Sequence, residues 1–413
     1  MAAPALTCSG KTGQGAAIRQ QRNARVLSQI TAVRLPAAPS KPDPRLSAAI
    51  GIARVLCILG IVYVHAWTGL AGGDLIKLNE TPQGLLRWGL IELLGRSAVP
   101  LLSIISGWLV AASLARRPWR TFALSKARTI LAPMVLWNAL AMVLVSGAAW
   151  VGWIRAPMPT AWWWTIDELL CLASPNDINV QMPFLRDLFV CMMAAPLLLR
   201  LPSWALGVVA ALAVAWNVSG LSFVLLLRPS ILLFFIVGML ARRHDLAAWM
   251  ASRPIAIVAS AYALFAALQV WLETIGVDRR VDNPVLLTSV DLMMRFTTAL
   301  FFWSIAWRLA QSRLARPLLR FEPYVFLMFC SHLIMMWLGG PLIGKLTGPL
   351  GSPLYPLFLV AQPVLVMGAT ALLGCGLKAL GPSTAKLLSG GRLSSTLLAR
   401  GGAGAQRPAS QTG

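Results

Sequence analysis

The sequence has few charged residues, and acidic residues are especially scarce. Only 12% of its 413 residues are charged, and 14 Asp and Glu stand against 36 Lys and Arg. A soluble globular protein normally has about 25% charged and 45–50% apolar residues. Because 57% of this chain is hydrophobic, the composition argues against a water-soluble globular fold and favours a membrane protein.

Cysteine and histidine are also scarce, which limits the kinds of active site. The chain has six cysteines and three histidines, and no two cysteines form a CxxC motif. Zinc ribbons and thioredoxin-like redox sites therefore have no sequence support. We predict no metal site.

The net charge of +22 would suit a nucleic-acid partner. Basic residues that lie in short loops between apolar spans instead record the orientation of a membrane protein. With the N-terminus in the cytosol, 25 Lys and Arg fall in cytosolic segments, six in outer loops and five inside spans. We therefore predict that both termini are cytosolic, that the lipid bilayer is a partner and that nucleic acid is not.

Apolar runs of the length that crosses a bilayer, roughly 20 helical residues, are abundant. We predict an all-α, polytopic membrane helix bundle over residues 46–380. Residues 1–45 and 381–413 are predicted to be disordered cytosolic tails. The ten predicted spans are 46–68, 92–115, 129–151, 182–200, 203–219, 221–241, 254–275, 286–308, 323–344 and 354–379.

Three consecutive tryptophans, Trp162 to Trp164, lie in the predicted outer loop 152–181. Indole rings favour the headgroup level of a membrane, so an interfacial helix is predicted here. Stacking of a substrate on these rings is the alternative.

Eight charged residues remain inside the predicted spans once the charges assigned to loops and tails are set aside. Each is costly in a bilayer and should face the bundle interior beside a partner. Glu92 with Arg96, and Asp291 with Arg295, are spaced four residues apart, a favourable pairing on a helix. Structural pairing and a functional role both stay open. The eight are Arg54, Glu92, Arg96, Arg186, Asp187, Arg228, Asp291 and Arg295.

Arg54 and His65 lie 11 residues apart in the first span. On a helix this spacing returns to nearly the same face and separates the two by about 16 Å along the axis. Arg54 would lie near the cytosol, where it could hold a phosphate-bearing donor. His65 would lie near the outer side, where it could act as a general base. Simple helix pairing is the alternative.

Four local patterns occur in order along the chain: Arg54 with His65; Arg96-Ser97-Ala98-Val99-Pro100-Leu101 followed by Ser106-Gly107-Trp108-Leu109; Pro183-Phe184-Leu185-Arg186-Asp187-Leu188-Phe189; and Glu322 to His332. This series resembles the membrane-bound acyltransferase-3 family of bacterial enzymes. Two positions depart from that family: Met182-Pro183 replaces a tryptophan, and Pro323 replaces a serine before a segment that is one or two residues longer.

The resemblance implies an integral-membrane O-acyltransferase. Such an enzyme transfers an acyl group, often acetyl or succinyl, from cytosolic acyl-CoA to a hydroxyl of an extracytoplasmic glycan or exopolysaccharide precursor. It implies acyl-CoA as co-substrate, no tightly bound cofactor and a place in the bacterial inner membrane. His65 would be catalytic and Arg54 would bind the donor. Candidate contacts to the acceptor or an oxyanion are Arg96, Arg186, Asp187, Arg295 and His332.

A secondary transporter is the alternative hypothesis, because intramembrane Arg, Asp and His can also form a substrate or proton path. Transporters often contain internal repeats. Residues 46–200 and 221–380 show no convincing similarity to each other, which favours the enzyme.

Overall fold

The computed structural model describes residues 43–70, 73–78, 80–96, 98–221, 223–274 and 284–393. Within these ranges the regular structure is helical, apart from one isolated antiparallel bridge between Phe223 and Leu226. The all-α prediction is therefore confirmed. The predicted N-terminal tail up to residue 42 and the predicted outer-loop charges Asp278, Arg279, Arg280 and Asp282 lie outside the described residues.

Fifteen helices form the described part of the chain. Two of them contain turns of different pitch: α5 has π-helical turns at Ala127–Leu131 and Met142–Ser146, and α13 has a 3₁₀ turn at Glu322–Tyr324. A further π-helical turn, Leu90–Gly95, follows directly after α3. The helices are α1 (Pro44–Val64), α2 (Gly73–Lys77), α3 (Pro82–Gly89), α4 (Ala98–Ala115), α5 (Trp119–Trp150), α6 (Trp162–Leu170), α7 (Pro183–Arg200), α8 (Ser203–Ser219), α9 (Pro229–Arg243), α10 (Leu246–Ser252), α11 (Ile255–Thr274), α12 (Pro284–Leu309), α13 (Ala315–Thr347), α14 (Tyr355–Leu380) and α15 (Pro382–Leu388).

Seven helical segments of the described chain are long and apolar enough to cross a membrane. The three other predicted spans correspond to α7 and to the shorter helices α8 and α9. A multi-pass membrane protein is thereby supported, while ten crossings and cytosolic termini stay predictions. The seven segments are Pro44–Val64, Pro82–Ala115, Trp119–Trp150, Ile255–Leu272, Val285–Leu309, Ala315–Thr347 and Tyr355–Leu380.

The predicted sixth span begins at the wrong residue. The sequence predicts a helix from residue 221, whereas α9 begins at Pro229. Helix α8 ends at Ser219, the backbone of Gly220 is left-handed with φ 67°, and residues 221 and 223–228 are not helical. Arg228, predicted to lie within a span, instead occupies the position just before α9, and its side chain makes no capping hydrogen bond.

The predicted disorder of the C-terminal segment is wrong for its first residues. Pro382–Leu388 forms α15, and the side chains of Ser389 and Leu393 just beyond it are buried. Trp137 on α5 donates a hydrogen bond from Nε1 to the carbonyl of Leu388 at 2.9 Å. The chain after α14 therefore folds back onto the helix bundle.

Helices α4 and α9 pack so closely that their backbones touch. A Cβ atom on Gly107 would collide with the carbonyl of Phe235, and one on Gly238 would collide with the carbonyl of Ile104. Glycine at both positions permits this approach. This contact holds α4 against α9, and the opposite side of α4 lines a cavity.

Helix α6 begins at the three tryptophans. Trp162 and Trp163 are exposed, whereas Trp164 donates a hydrogen bond from Nε1 to Asp177 at 2.7 Å. The helix predicted in this loop is therefore present, with two indole rings on its outer surface. Its place at a membrane interface stays a prediction.

Candidate functional site

Helix α1 and the residue that follows it line two separate cavities. Arg54 and Ile58 line the first cavity, and Ile61 and His65 line the second. Arg54, Ile58 and Ile61 are spaced by four and three residues, which places them on one face of α1. His65 lies in the turn just after Val64, where its backbone N–H donates to the carbonyl of Val62 at 3.2 Å, so the helix predicted to reach residue 68 ends at residue 64. We call the two spaces the Arg54 cavity and the His65 cavity.

The Arg54 cavity has a volume of about 160 Å³ and is lined by three cationic side chains, Arg54, Lys126 and Arg392. Glu322 is the carboxylate among its lining residues, and Arg54 Nη1 lies 3.0 Å from Glu322 Oε1. One carboxylate cannot offset three cations, so the cavity favours an anionic ligand. Ser106, Ser113 and Thr129 add hydroxyl groups to its wall.

Arg392 reaches the Arg54 cavity from the chain beyond α15. Its guanidinium lies 4.0 Å from the centre of the Phe326 ring, in a cation–π contact. Burial, and then the nearby charge of Arg54, lower the pKa of Arg392 to about 10. The side chain therefore stays charged at neutral pH and contributes to the positive character of the cavity.

The His65 cavity is larger, with a volume of about 560 Å³. The ends of several helices and the connection before α9 surround it. Its charged lining residues are Arg96, Arg228, Asp291 and Arg295, and its wall also contains Gln181, Trp216 and Asn217.

An ion-pair network forms one side of the His65 cavity. Arg96 Nε lies 2.8 Å from Glu92, Arg96 Nη1 lies 3.2 Å from Asp291, and Arg295 Nε lies 2.8 Å from the other oxygen of Asp291. Both predicted pairs are therefore present, and the Arg96–Asp291 contact joins them across two segments. Because two carboxylates balance two guanidiniums, the charge of Arg228 remains as an excess at this cavity.

A π-helical turn positions the first half of this network. Leu90–Gly95 is π-helical, and Arg96 closes it by donating its backbone N–H to the carbonyl of Ile91 at 3.0 Å. Such turns are frequent at functional sites, because they redirect side chains within a helix. The turn carries Glu92 and ends at Arg96.

Arg186 and Asp187 do not line either cavity but hold the connection before α9. The buried Asp187 carboxylate accepts hydrogen bonds from the backbone N–H groups of Leu227 at 3.3 Å and Arg228 at 2.9 Å. Arg186 contacts Asp187 at 2.7 Å and donates to the carbonyls of Val224 and Leu225. Both residues therefore support this connection and the position of Arg228, and their predicted contact with the acceptor stays a prediction.

His332 is fully buried on α13 and lies behind His65, and it does not line the His65 cavity. The two imidazole rings have centroids 5.4 Å apart. His332 Nδ1 lies 2.8 Å from the carbonyl oxygen of Phe329 and 3.1 Å from that of Met328. Since a carbonyl oxygen only accepts, Nδ1 carries the hydrogen, and Nε2 of the neutral ring is an acceptor.

That acceptor has no hydrogen-bond partner among the described residues. An unsatisfied buried polar atom is costly and calls for an explanation. The predicted role of His332 as an acceptor or oxyanion contact stays a prediction, since its side chain lines neither cavity.

Sequence reasoning missed several polar residues of the two cavities, among them two cations, a carboxylate and an amide. Lys126 and Arg392 count as loop charges in a topology argument, and Glu322 appears only as the start of a motif. Gln181, buried in the wall of the His65 cavity, precedes a predicted span and carries no charge. No local pattern distinguishes these residues, because long-range packing brings them to the cavities.

Comparison with known proteins agrees with the resemblance drawn from the sequence. The sequence model of the family described as "Acyltransferase domain" (Acyl_transf_3) matches residues 47–375. A protein of Rhizobium meliloti (strain 1021), "Succinoglycan biosynthesis protein ExoH", is 28% identical over 373 residues, which cover 85% of this chain and 94% of the relative. No solved structure gives a significant match.

Proposed function

The chain belongs to the acyltransferase-3 family, and on that premise we propose that it transfers an acyl group from cytosolic acyl-CoA to a hydroxyl of an extracytoplasmic glycan. The observation that carries the proposal is the end-to-end arrangement of two cavities along α1, with cations at one end and an imidazole at the other. The transporter hypothesis is not retained, because the matching family is one of acyltransferases.

The Arg54 cavity is the proposed donor site. Coenzyme A carries several phosphates, and Arg54, Lys126 and Arg392 supply charge-assisted hydrogen bonds of the kind that hold phosphate. The predicted topology places this end of α1 at the cytosol, where acyl-CoA is present.

The His65 cavity is the proposed acceptor site. Its size, its polar network and the indole of Trp216 suit a sugar, which combines hydroxyl groups with an apolar ring face. The relative from Rhizobium meliloti is named for succinoglycan biosynthesis, which supports a polysaccharide or its precursor as acceptor. We propose acetyl or succinyl as the acyl group and the bacterial inner membrane as the location.

The proposed reaction begins when His65 accepts the proton of the acceptor hydroxyl. The oxygen then attacks the carbonyl carbon of the thioester, so that a C–O bond forms and the C–S bond breaks. The coenzyme leaves as a thiolate and takes up the proton held by His65. We propose that Arg96, Arg228 and Arg295, which line this cavity, stabilise the negative charge that develops on the carbonyl oxygen.

His332 is proposed to orient His65. If His65 donates one ring N–H to His332 Nε2, its other nitrogen is left with a lone pair for the acceptor hydroxyl. This contact would satisfy the buried Nε2 atom. His332 would then act through His65, without touching a substrate.

Substitution of His65 tests the proposed function. Purified protein in proteoliposomes receives acyl-CoA labelled in the acyl group, together with glycan from a strain that lacks the protein. His65→Ala should reduce labelling of the glycan by about 10²–10⁴-fold, which is the usual contribution of general base catalysis. The exposed His244 provides a matched control, and His244→Ala should label the glycan normally.

Two outcomes would contradict the proposal. Near-normal activity of a folded His65→Ala variant would remove His65 from the mechanism. If the wild-type protein labels no glycan with any short acyl-CoA, the proposed donor or acceptor is wrong.

A further inference from the structure

Phe184 lies where the two cavities meet. Of the described residues, it is the one that lines both the Arg54 cavity and the His65 cavity. Its side chain is only 4% exposed. The benzyl group therefore forms a partition between the two spaces.

On three helices, the lining residues change from one cavity to the other close to the level of Phe184. On α1, Ile58 lines the Arg54 cavity and Ile61 the His65 cavity; on α4, Leu102 lines the former and Val99 the latter. On α7, Leu188 lines the Arg54 cavity, and Gln181, just before the helix, lines the His65 cavity. The cavities thus follow each other along one path, and Phe184 occupies the junction.

Neighbouring groups hold the Phe184 ring in place. It meets the ring of Phe329 on α13 at a centroid distance of 5.8 Å and an angle of 62°, an edge-on arrangement that favours attraction between aromatic rings. Gln181 Nε2 donates to the carbonyl of Phe329 at 3.4 Å. Phe184 also lies in the first turn of α7, which Asp187 ties to the connection before α9. The partition is therefore braced from two sides.

We propose that Phe184, braced by Phe329, is the aperture through which the acyl group reaches His65, and that its side chain limits the size of that group. The inference rests on the proposed function. The phosphates of the donor would remain among the cations of the Arg54 cavity, while the thioester end passes an apolar ring. A short acyl group fits beside a braced phenyl ring, whereas a long chain needs the ring to move.

The test compares acetyl-, butyryl- and octanoyl-CoA as donors in the proteoliposome assay. Phe184→Ala should raise kcat/KM for octanoyl-CoA relative to acetyl-CoA by about tenfold or more, because each methylene that an apolar site accepts or excludes changes the rate by about 10–200-fold. Phe184→Leu should give an intermediate ratio, and Phe184→Trp should reduce use of butyryl-CoA. Phe189→Ala is the matched control, since Phe189 lies on the same helix and lines neither cavity.

The assay results that would overturn this inference differ from those that would overturn the proposed function. Unchanged donor ratios in Phe184→Ala, Phe184→Leu and Phe184→Trp, with an active wild type, overturn the aperture and leave the acyltransferase intact. An equal change of ratio in Phe189→Ala also overturns it. No transfer from any acyl-CoA by the wild type overturns both. If Phe184→Ala fails to fold, Phe184→Leu and Phe329→Leu give the same comparison with a smaller change in volume.

Discussion

At the scale of single residues, the two histidines near the junction have different roles. His65 lines a cavity, whereas His332 is fully buried behind it, with its tautomer fixed by two backbone carbonyls. The sequence predicts Arg54 and His65 from their spacing, because helix periodicity alone relates them. It cannot predict that His332 lies beside His65, because that contact joins two distant helices.

The proposed role of His332 makes a prediction for two variants of similar size. His332→Met removes the acceptor atom and should lower kcat by about tenfold to a hundredfold, a part of the contribution of general base catalysis. KM for acyl-CoA should stay unchanged, because His332 lines neither cavity. His332→Gln retains an acceptor oxygen and should restore most of kcat. Equal losses in both variants, or a change in KM alone, would indicate a purely structural role.

At the scale of elements, hydropathy finds the apolar helices but cannot find their ends. Leu221 and Val224 to Leu227 are apolar, so that the connection before α9 resembles the start of a span. In the structure this connection is non-helical because Arg186 and Asp187 satisfy its backbone groups. The same limit explains α15: a segment rich in Gly and Ser suggests disorder, yet its contact with Trp137 on α5 orders it.

The chain just beyond α15 supplies Arg392 to the proposed donor site, and its contribution can be tested by removing one charge. Arg392→Gln should raise KM for acyl-CoA by about tenfold, which corresponds to the loss of one hydrogen bond from a charged group, with kcat nearly unchanged. Lys386→Gln on α15 is the matched control, because Lys386 is exposed and does not line the Arg54 cavity. Equal KM values for the two variants would exclude Arg392 from donor binding.

At the scale of the whole molecule, the distribution of charge predicts the orientation of the chain. Since basic loops are retained in the cytosol, a fluorescent protein fused after residue 413 should fluoresce. Alkaline phosphatase inserted between residues 152 and 160, or after residue 348, should be active because it reaches the periplasm. Phosphatase activity at the C-terminus, or its absence at both insertions, would contradict an even number of crossings with both termini inside.

Much of the whole molecule follows from composition, but the cavities do not. Scarce charge and long apolar runs predict a helical membrane bundle, and the order of four motifs predicts its family. The pairing of Arg96 with Asp291, the burial of Arg392 and the junction at Phe184 depend on how the helices pack. The packing depends in turn on residues such as Gly107 and Gly238. The sequence does not show which backbone lies against each glycine, so it cannot predict this packing.

The position of Arg392 also affects how this protein can be recombined with its relatives. The family match ends at residue 375, yet the wall of the Arg54 cavity continues to residue 392. A chimera joined at the end of the matched domain would inherit a foreign terminal segment and lose one of the three cations around the cavity. An exchange intended to transfer donor preference between two such enzymes therefore has to extend through residue 393.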